Sequence, residues 1–246
     1  MVDDIEASLA ASREAGVVQF VHVGCSKNSH AAAVALADAH ESIFAAVGIH
    51  PHEASTTCPQ TMADLEKLAA HPRVVAIGET GLDYHYDLSP RDQQRESMRS
   101  HMELARRLEM PVVLHIRDAH QDALEIARDA PGRAEQPGMI HCFTAGPDEA
   151  RAWLALGYHL SFSGIATFPK CDAIREAVAL CPDDRILLET DAPYLSPTPV
   201  RGRKNQPAHV AFTCVHLAGV RGQAPEELAA HAAGNTRNLL GMPTPA

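Results

Sequence analysis

The sequence predicts an α/β fold of the (β/α)8 TIM-barrel type, with the first β-strand missing from this chain. Three observations lead there. Short β-branched apolar runs alternate with longer amphipathic stretches from end to end, the pattern of a parallel sheet covered by helices. Residues able to ligate a metal stand just past most of these runs, and a barrel builds its active site at that end of its strands. No glycine-rich phosphate loop follows the first run, which argues against a doubly wound dinucleotide-binding sheet.

The elements follow in order. Ile5, Leu9 and Ala15 space a helix over 3–15, stopped by Gly16. Val17 to Val23 reads as a strand closed by Gly24, with His22 packed between core valines. An Ala-rich helix over 27–40 precedes a strand over 43–49 that runs into His50. A helix over 59–70 leads to the strand Val74-Val75-Ala76-Ile77, and Gly78 to Tyr84 then forms a turn carrying Glu79. Pro90 opens a long helix to Leu108, with Met98, Met102 and Leu108 inward. Strands over 111–115, 138–141, 158–162 and 185–189 alternate with helices over 118–130, 147–156 and 170–180. A proline-rich loop over 192–207 and helices over 208–219 and 225–239 close the chain, the last opening with Pro225-Glu226-Glu227. The count is seven strands and the chain starts on a helix, which is why the first barrel strand is read as missing.

Composition narrows the function classes. A chain of 246 residues with no low-complexity run, repeat or linker suggests one domain over 1–246. No stretch approaches the roughly 18 apolar residues of a membrane helix, and the acidic N-terminus does not resemble a signal peptide, so a cytoplasmic protein is expected. Cys25, Cys58, Cys142, Cys171, Cys181 and Cys214 show no CxxC spacing and read as reduced thiols. A formal charge of −10 argues against a broad basic face for sliding along nucleic acid, though not against a substrate held locally. His71, His101, His120, His209, His216 and His231 fall in helical patterns and read as solvated surface.

The chemistry gathers at strand ends. Glu79, His115, His141 and Asp191 are the residue types of a hydrolytic metal site, since imidazoles and carboxylates suit Zn or Mn, and carboxylates with water suit Mg. A carboxylate at Glu79 could bridge two metals, and Asp191 could hold a metal and accept a proton from an attacking water. Around them, His50 ends another apolar run, and Asp83 either lines the pocket or builds the turn. Arg117 is a candidate to grip a phosphate or carboxylate. Arg201 and Asn205 lie in the one dense basic stretch, Arg201-Gly202-Arg203-Lys204-Asn205.

These segments resemble the TatD family of metal-dependent hydrolases, a branch of the amidohydrolase-type barrels. The resemblance rests on Gly48-Ile49-His50-Pro51-His52, Gly78-Glu79-Thr80-Gly81-Leu82-Asp83-Tyr84, Pro111 through Arg117, His141-Cys142-Phe143, Glu189 through Leu195, and Arg201 through Pro207, in order along nearly the whole chain. It implies a DNase or 3′–5′ exonuclease acting on single-stranded DNA or DNA ends, with no membrane and no obligate protein partner. It also implies two divalent ions (Zn, Mn or Mg). Glu79 would bridge, His115 and His141 would hold the second metal, and Asp191 would serve the first metal and the water. The family's first strand ends in a His-x-His pair that this sequence does not have before His22. Either a strand and its loop precede the first residue given, or the chain is a variant that binds one metal. Two other functions remain open at this level: hydrolysis of a small amide, ester or lactone, and a weakly active binding protein.

Overall fold

The structure is a computed structural model describing residues 5–130, 132–133 and 135–245. Two compact units are present. One contains Gln19–His141, Ala155–Tyr158 and the chain from Leu239; the other contains the N-terminal residues through Val18, Cys142–Leu154 and His159–Asn238.

The first unit carries β1 (Phe20–Gly24), β2 (Ile43–Val47), β3 (Val74–Asp83), β4 (Val112–Arg117) and β5 (Gly138–His141). Each pairs in parallel with the next in chain order. Between them run α2 (His30–Ala39), α3 (Pro59–Ala69), α4 (Arg91–Arg107) and α5 (His120–Asp129). The second unit holds α1 (Ile5–Glu14), the parallel pair β6 (His159–Phe162) and β7 (Ile186–Leu188), and α7 (Asp172–Leu180) and α8 (Val210–Arg221). The helices α6 (Pro147–Ala155) and α9 (Pro225–Leu240) complete the alternation. Parallel pairing between chain neighbours, with a helix at each crossover, is the winding of a (β/α) barrel. Seven strands are present among the described residues, the number the sequence predicts.

Burial explains the composition of the strands. All five residues of β2 and nine of the ten in β3 are buried, so β2 and residues 74–77 of β3 read as continuous apolar runs rather than alternating ones. On α4 the buried positions Gln94, Ser97, Met98, His101, Met102, Leu104 and Ala105 recur every three or four residues and form one face. Asp92 in its first turn and Arg106 and Arg107 in its last complement the helix dipole.

Several expectations are corrected. The glycine-rich segment after Ile77 is not a turn: β3 continues through it to Asp83. The first strand begins at Phe20 rather than Val17, and His22 is exposed on it rather than packed; among the described residues β1 pairs with β2 and stands at the sheet's end. His101 and His209 are buried, not solvated. No disulfide joins the six cysteines among the described residues. Among the described residues no helix is long and apolar enough to cross a membrane.

Candidate metal centre

The site begins with an irregularity in β3. Its pairing with β4 runs Gly78↔Val113 and then Thr80↔Leu114, so Glu79 is an extra residue in the ladder. Such a bulge breaks the strict alternation of side chains and re-aims the residue it contains. Beyond it, Gly81 is level with His115 and Asp83 with Arg117, while His115 is level with His141 on β5. In parallel strands, residues at one level point to the same face. The glycines permit the close approach this needs: a Cβ on Gly81 would lie 2.1 Å from the His115 carbonyl oxygen, and its φ of 141° disfavours other residues.

Three imidazoles, His115 on β4, His141 on β5 and His50 just past β2, converge on one carboxylate oxygen. His115 Nδ1 lies 2.9 Å from Glu79 Oε1, and His50 Nε2 and His141 Nε2 each lie 3.5 Å from the same atom. Asp83 forms the other pole. Its Oδ2 accepts from His52 Nε2 at 2.8 Å and His115 Nε2 at 3.2 Å, and its Oδ1 accepts from the backbone N–H groups of His85 and Tyr86. Asp83 is itself held through its backbone N–H, which donates to Gln94 Oε1 at 2.7 Å.

The charges follow from this packing. Burial alone would raise the Glu79 carboxyl, but His141, His115 and His50 together outweigh it and hold the group well below the usual carboxylate range. Burial likewise opposes ionisation of Asp83, and the His115, Tyr86 and His52 hydrogen bonds overcome it. His115, between two carboxylates, is pushed up in spite of burial. His50 is pushed down to about 4, chiefly by burial, with the Glu79 charge opposing. A negative pole edged by a neutral imidazole suits a cation. One ligand atom each from His50, Glu79 and His115 lie within 4.8 Å of one another, so these residues could hold a divalent metal with nitrogen and oxygen donors.

The remaining predicted residues are placed as follows. Arg117 lies two levels beyond His115 on β4, its guanidinium 4.8 Å from the Tyr86 ring centroid. In the other unit, Asp191 follows β7 with a positive φ of 57°. Arg201 lies over the Phe168 ring at 4.2 Å. Asn205 is buried, and its amide is fully engaged within its own loop: Nδ2 donates to the Thr190 and Tyr194 carbonyls, and Oδ1 accepts from Gln206 N–H and His209 Nδ1.

Sequence reasoning gives His52 no role of its own, yet its ring lies 4.2 Å from that of His50 and it bonds Asp83. It also misses buried His30 and His101, which hold the segment leading into His50. Their only signal is negative: a histidine on the apolar face of a helix needs a partner.

Comparisons with known proteins identify the family. The family model described as TatD related DNase matches residues 1–241. YabD of Bacillus subtilis, an uncharacterized metal-dependent hydrolase, is 35% identical over 96% of this chain and 92% of its own. A protein of Erwinia billingiae named 3′-5′ ssDNA/RNA exonuclease TatD is 40% identical over 81% of this chain and 78% of its own. The crystal structure of YjjV, a TatD homologue from Escherichia coli K12, superposes with a TM-score of 0.91 at 29% identity, covering 98% of this chain and 93% of that one. A family match over almost the entire sequence, and a carboxylate ringed by histidines at the ends of parallel strands, make this chain a member of the TatD family of metal-dependent hydrolases.

Proposed function

We propose that the chain is a divalent-metal-dependent phosphodiesterase that releases nucleotides from single-stranded DNA or DNA ends, acting as one hydrolase domain over residues 1–246. The observation that carries this reading is the convergence of His50, His115 and His141 on Glu79 Oε1. The exonuclease name of the Erwinia relative supports the choice of substrate.

In this reading Glu79, His115 and His141 would hold metal, and the resemblance implies a metal-binding role for Asp191 as well. A divalent ion so held supplies Lewis acidity toward a phosphoryl oxygen and makes water more acidic. The chain's own residues do the rest. Glu79 stays ionised because three imidazoles surround it, so it is ready to bind a cation at neutral pH. Asp83 fixes the orientation of His115 and His52. Such partners of a ligating histidine keep the ring in place. Asp191 is assigned the proton of the attacking water. His50 is assigned to face the substrate, neutral above about pH 4, with Nδ1 accepting from the His52 N–H and Nε2–H left as its donor. Arg117 and Arg201 meet phosphates, and Asn205 holds the loop that carries Arg201.

The test is metal content together with Mn- or Mg-dependent release of nucleotides from a labelled single strand, with Glu79→Ala as control. Bound metal and Glu79-dependent release are expected. A metal-loaded protein that leaves every single strand intact would overturn the proposal.

A further inference from the structure

Tyr86 is 55% exposed and Leu88, two residues on, 66% exposed, immediately after the strand that supplies Glu79 and Asp83. A lone exposed aromatic is ordinary. Tyr86 differs in how firmly it is built. Its backbone N–H donates to Asp83 Oδ1 at 2.9 Å, so the carboxylate that orients His115 and His52 also fixes the start of this residue. The ring meets His52 edgewise at 5.4 Å and His85 at 5.0 Å, both nearly perpendicular, and the Arg117 guanidinium lies over it at 4.8 Å. His52 in turn touches His50. An aromatic surface therefore stands two ring contacts from the Glu79 cluster, beside a cation that can reach a phosphate.

We propose that Tyr86, backed by Arg117, is a stacking platform for one nucleobase of a strand whose scissile phosphate lies at the histidine–carboxylate cluster. Stacking on an aromatic ring is tolerant of base identity, because every base has a π-face, and it needs an unpaired base. The platform therefore makes the substrate class single-stranded nucleic acid and gives no base preference. It uses a ring and a guanidinium rather than a broad basic groove, which agrees with a chain of formal charge −10. The inference rests on the phosphodiesterase reading and adds to it a residue and a base contact.

The experiment measures binding of short phosphorothioate-linked single strands by fluorescence anisotropy with Mn2+ present, with one abasic sugar walked inward from the 3′ end. In the unaltered protein one abasic position should raise Kd roughly tenfold, within the range of one base–aromatic stack. Tyr86→Ala should bind the intact strand roughly tenfold more weakly and be indifferent to that abasic position; Tyr86→Trp should restore both. If no abasic position matters, the platform is overturned without recourse to any variant. Equal affinity of Tyr86→Ala and the unaltered protein for the intact strand, with the latter still releasing nucleotides, overturns the platform alone. No release from any single strand by the Mn-loaded protein overturns the parent reading and the platform with it.

Discussion

His30 and His101 grip opposite ends of a single peptide group. His30 Nε2–H donates to the Gly48 carbonyl at 2.7 Å, and His101 Nε2 accepts from the Ile49 N–H at 3.0 Å, its own Nδ1–H donating to the Ser97 carbonyl. The two rings come from α2 and α4, both are buried, and the next residue is His50. A buried N–H deprived of its partner costs about 1–3 kcal/mol, and a shortened side chain adds a cavity. His101→Ala should therefore lower the unfolding free energy by about 3 kcal/mol in urea titrations. Because the two histidines share one peptide, adding His30→Ala should cost less than the sum of the separate losses, by at least about 0.5 kcal/mol. Strict additivity would show that the peptide is not a common target.

The same histidine sets a pH dependence. Burial, ahead of all else, pushes His101 down to about 4 from an ordinary value of 6.5. Between these two values the unfolded chain takes up a proton that the folded chain refuses. Stability from this group is complete above about pH 6.5 and is lost as pH falls toward 4, to a total of about 3 kcal/mol. Urea midpoints of the metal-free protein at pH 7 and pH 4.5 should show this fall. His101→Gln, which cannot titrate, should lose less across the same window; an identical loss would contradict the assignment.

Asp83 and His115 offer a spectroscopic test. The Asp83 hydrogen bond leads the influences that hold His115 above its ordinary value against burial. In Asp83→Asn the full negative charge is gone, so the His115 pKa should drop. The measurement is an NMR titration of the His115 ring protons in metal-free protein. A midpoint unmoved by the substitution would mean that Glu79 alone sets the charge of this ring.

Gly81 should tolerate no side chain. Its φ is 141°, and a Cβ would lie 2.1 Å from a backbone oxygen of β4, which cannot swing away. Strain of this kind and forced separation of two paired strands should cost roughly 3 kcal/mol or more. Thermal unfolding of Gly81→Ala should fall by about 6–12 °C, on the scale expected for a chain of this size. A shift of a degree or less would show that β3 and β4 can part without penalty.

The sequence exposes what depends on one segment at a time. The spacing of Met98 and Met102 marks the buried face of α4, and both are fully buried. Glu79, His115 and His141 are visible as polar residues ending apolar runs, and the structure brings them together. What stays hidden depends on a partner strand. Gly78 and Gly81 look like turn residues, because glycine in a turn and glycine at a close strand contact are indistinguishable in composition. The bulge at Glu79 is defined only by Val113 and Leu114, a strand away. Likewise, His101 and His71 both look polar on a helical pattern, and only the presence of Ile49 and Ser97 makes the first a buried acceptor and donor.

The bulge has a consequence for how fold and chemistry are divided along β3. Gly78 is level with Val113 and Thr80 with Leu114, so the partner strand spends no residue on Glu79. Remove that one position and the remaining levels still match one to one, with Asp83 facing Arg117 as before. The pairing of the sheet is thus indifferent to the residue on which the site converges. Any pressure to keep a carboxylate there comes from what it binds, and a lineage that no longer needed the binding could discard it without losing its place in the ladder.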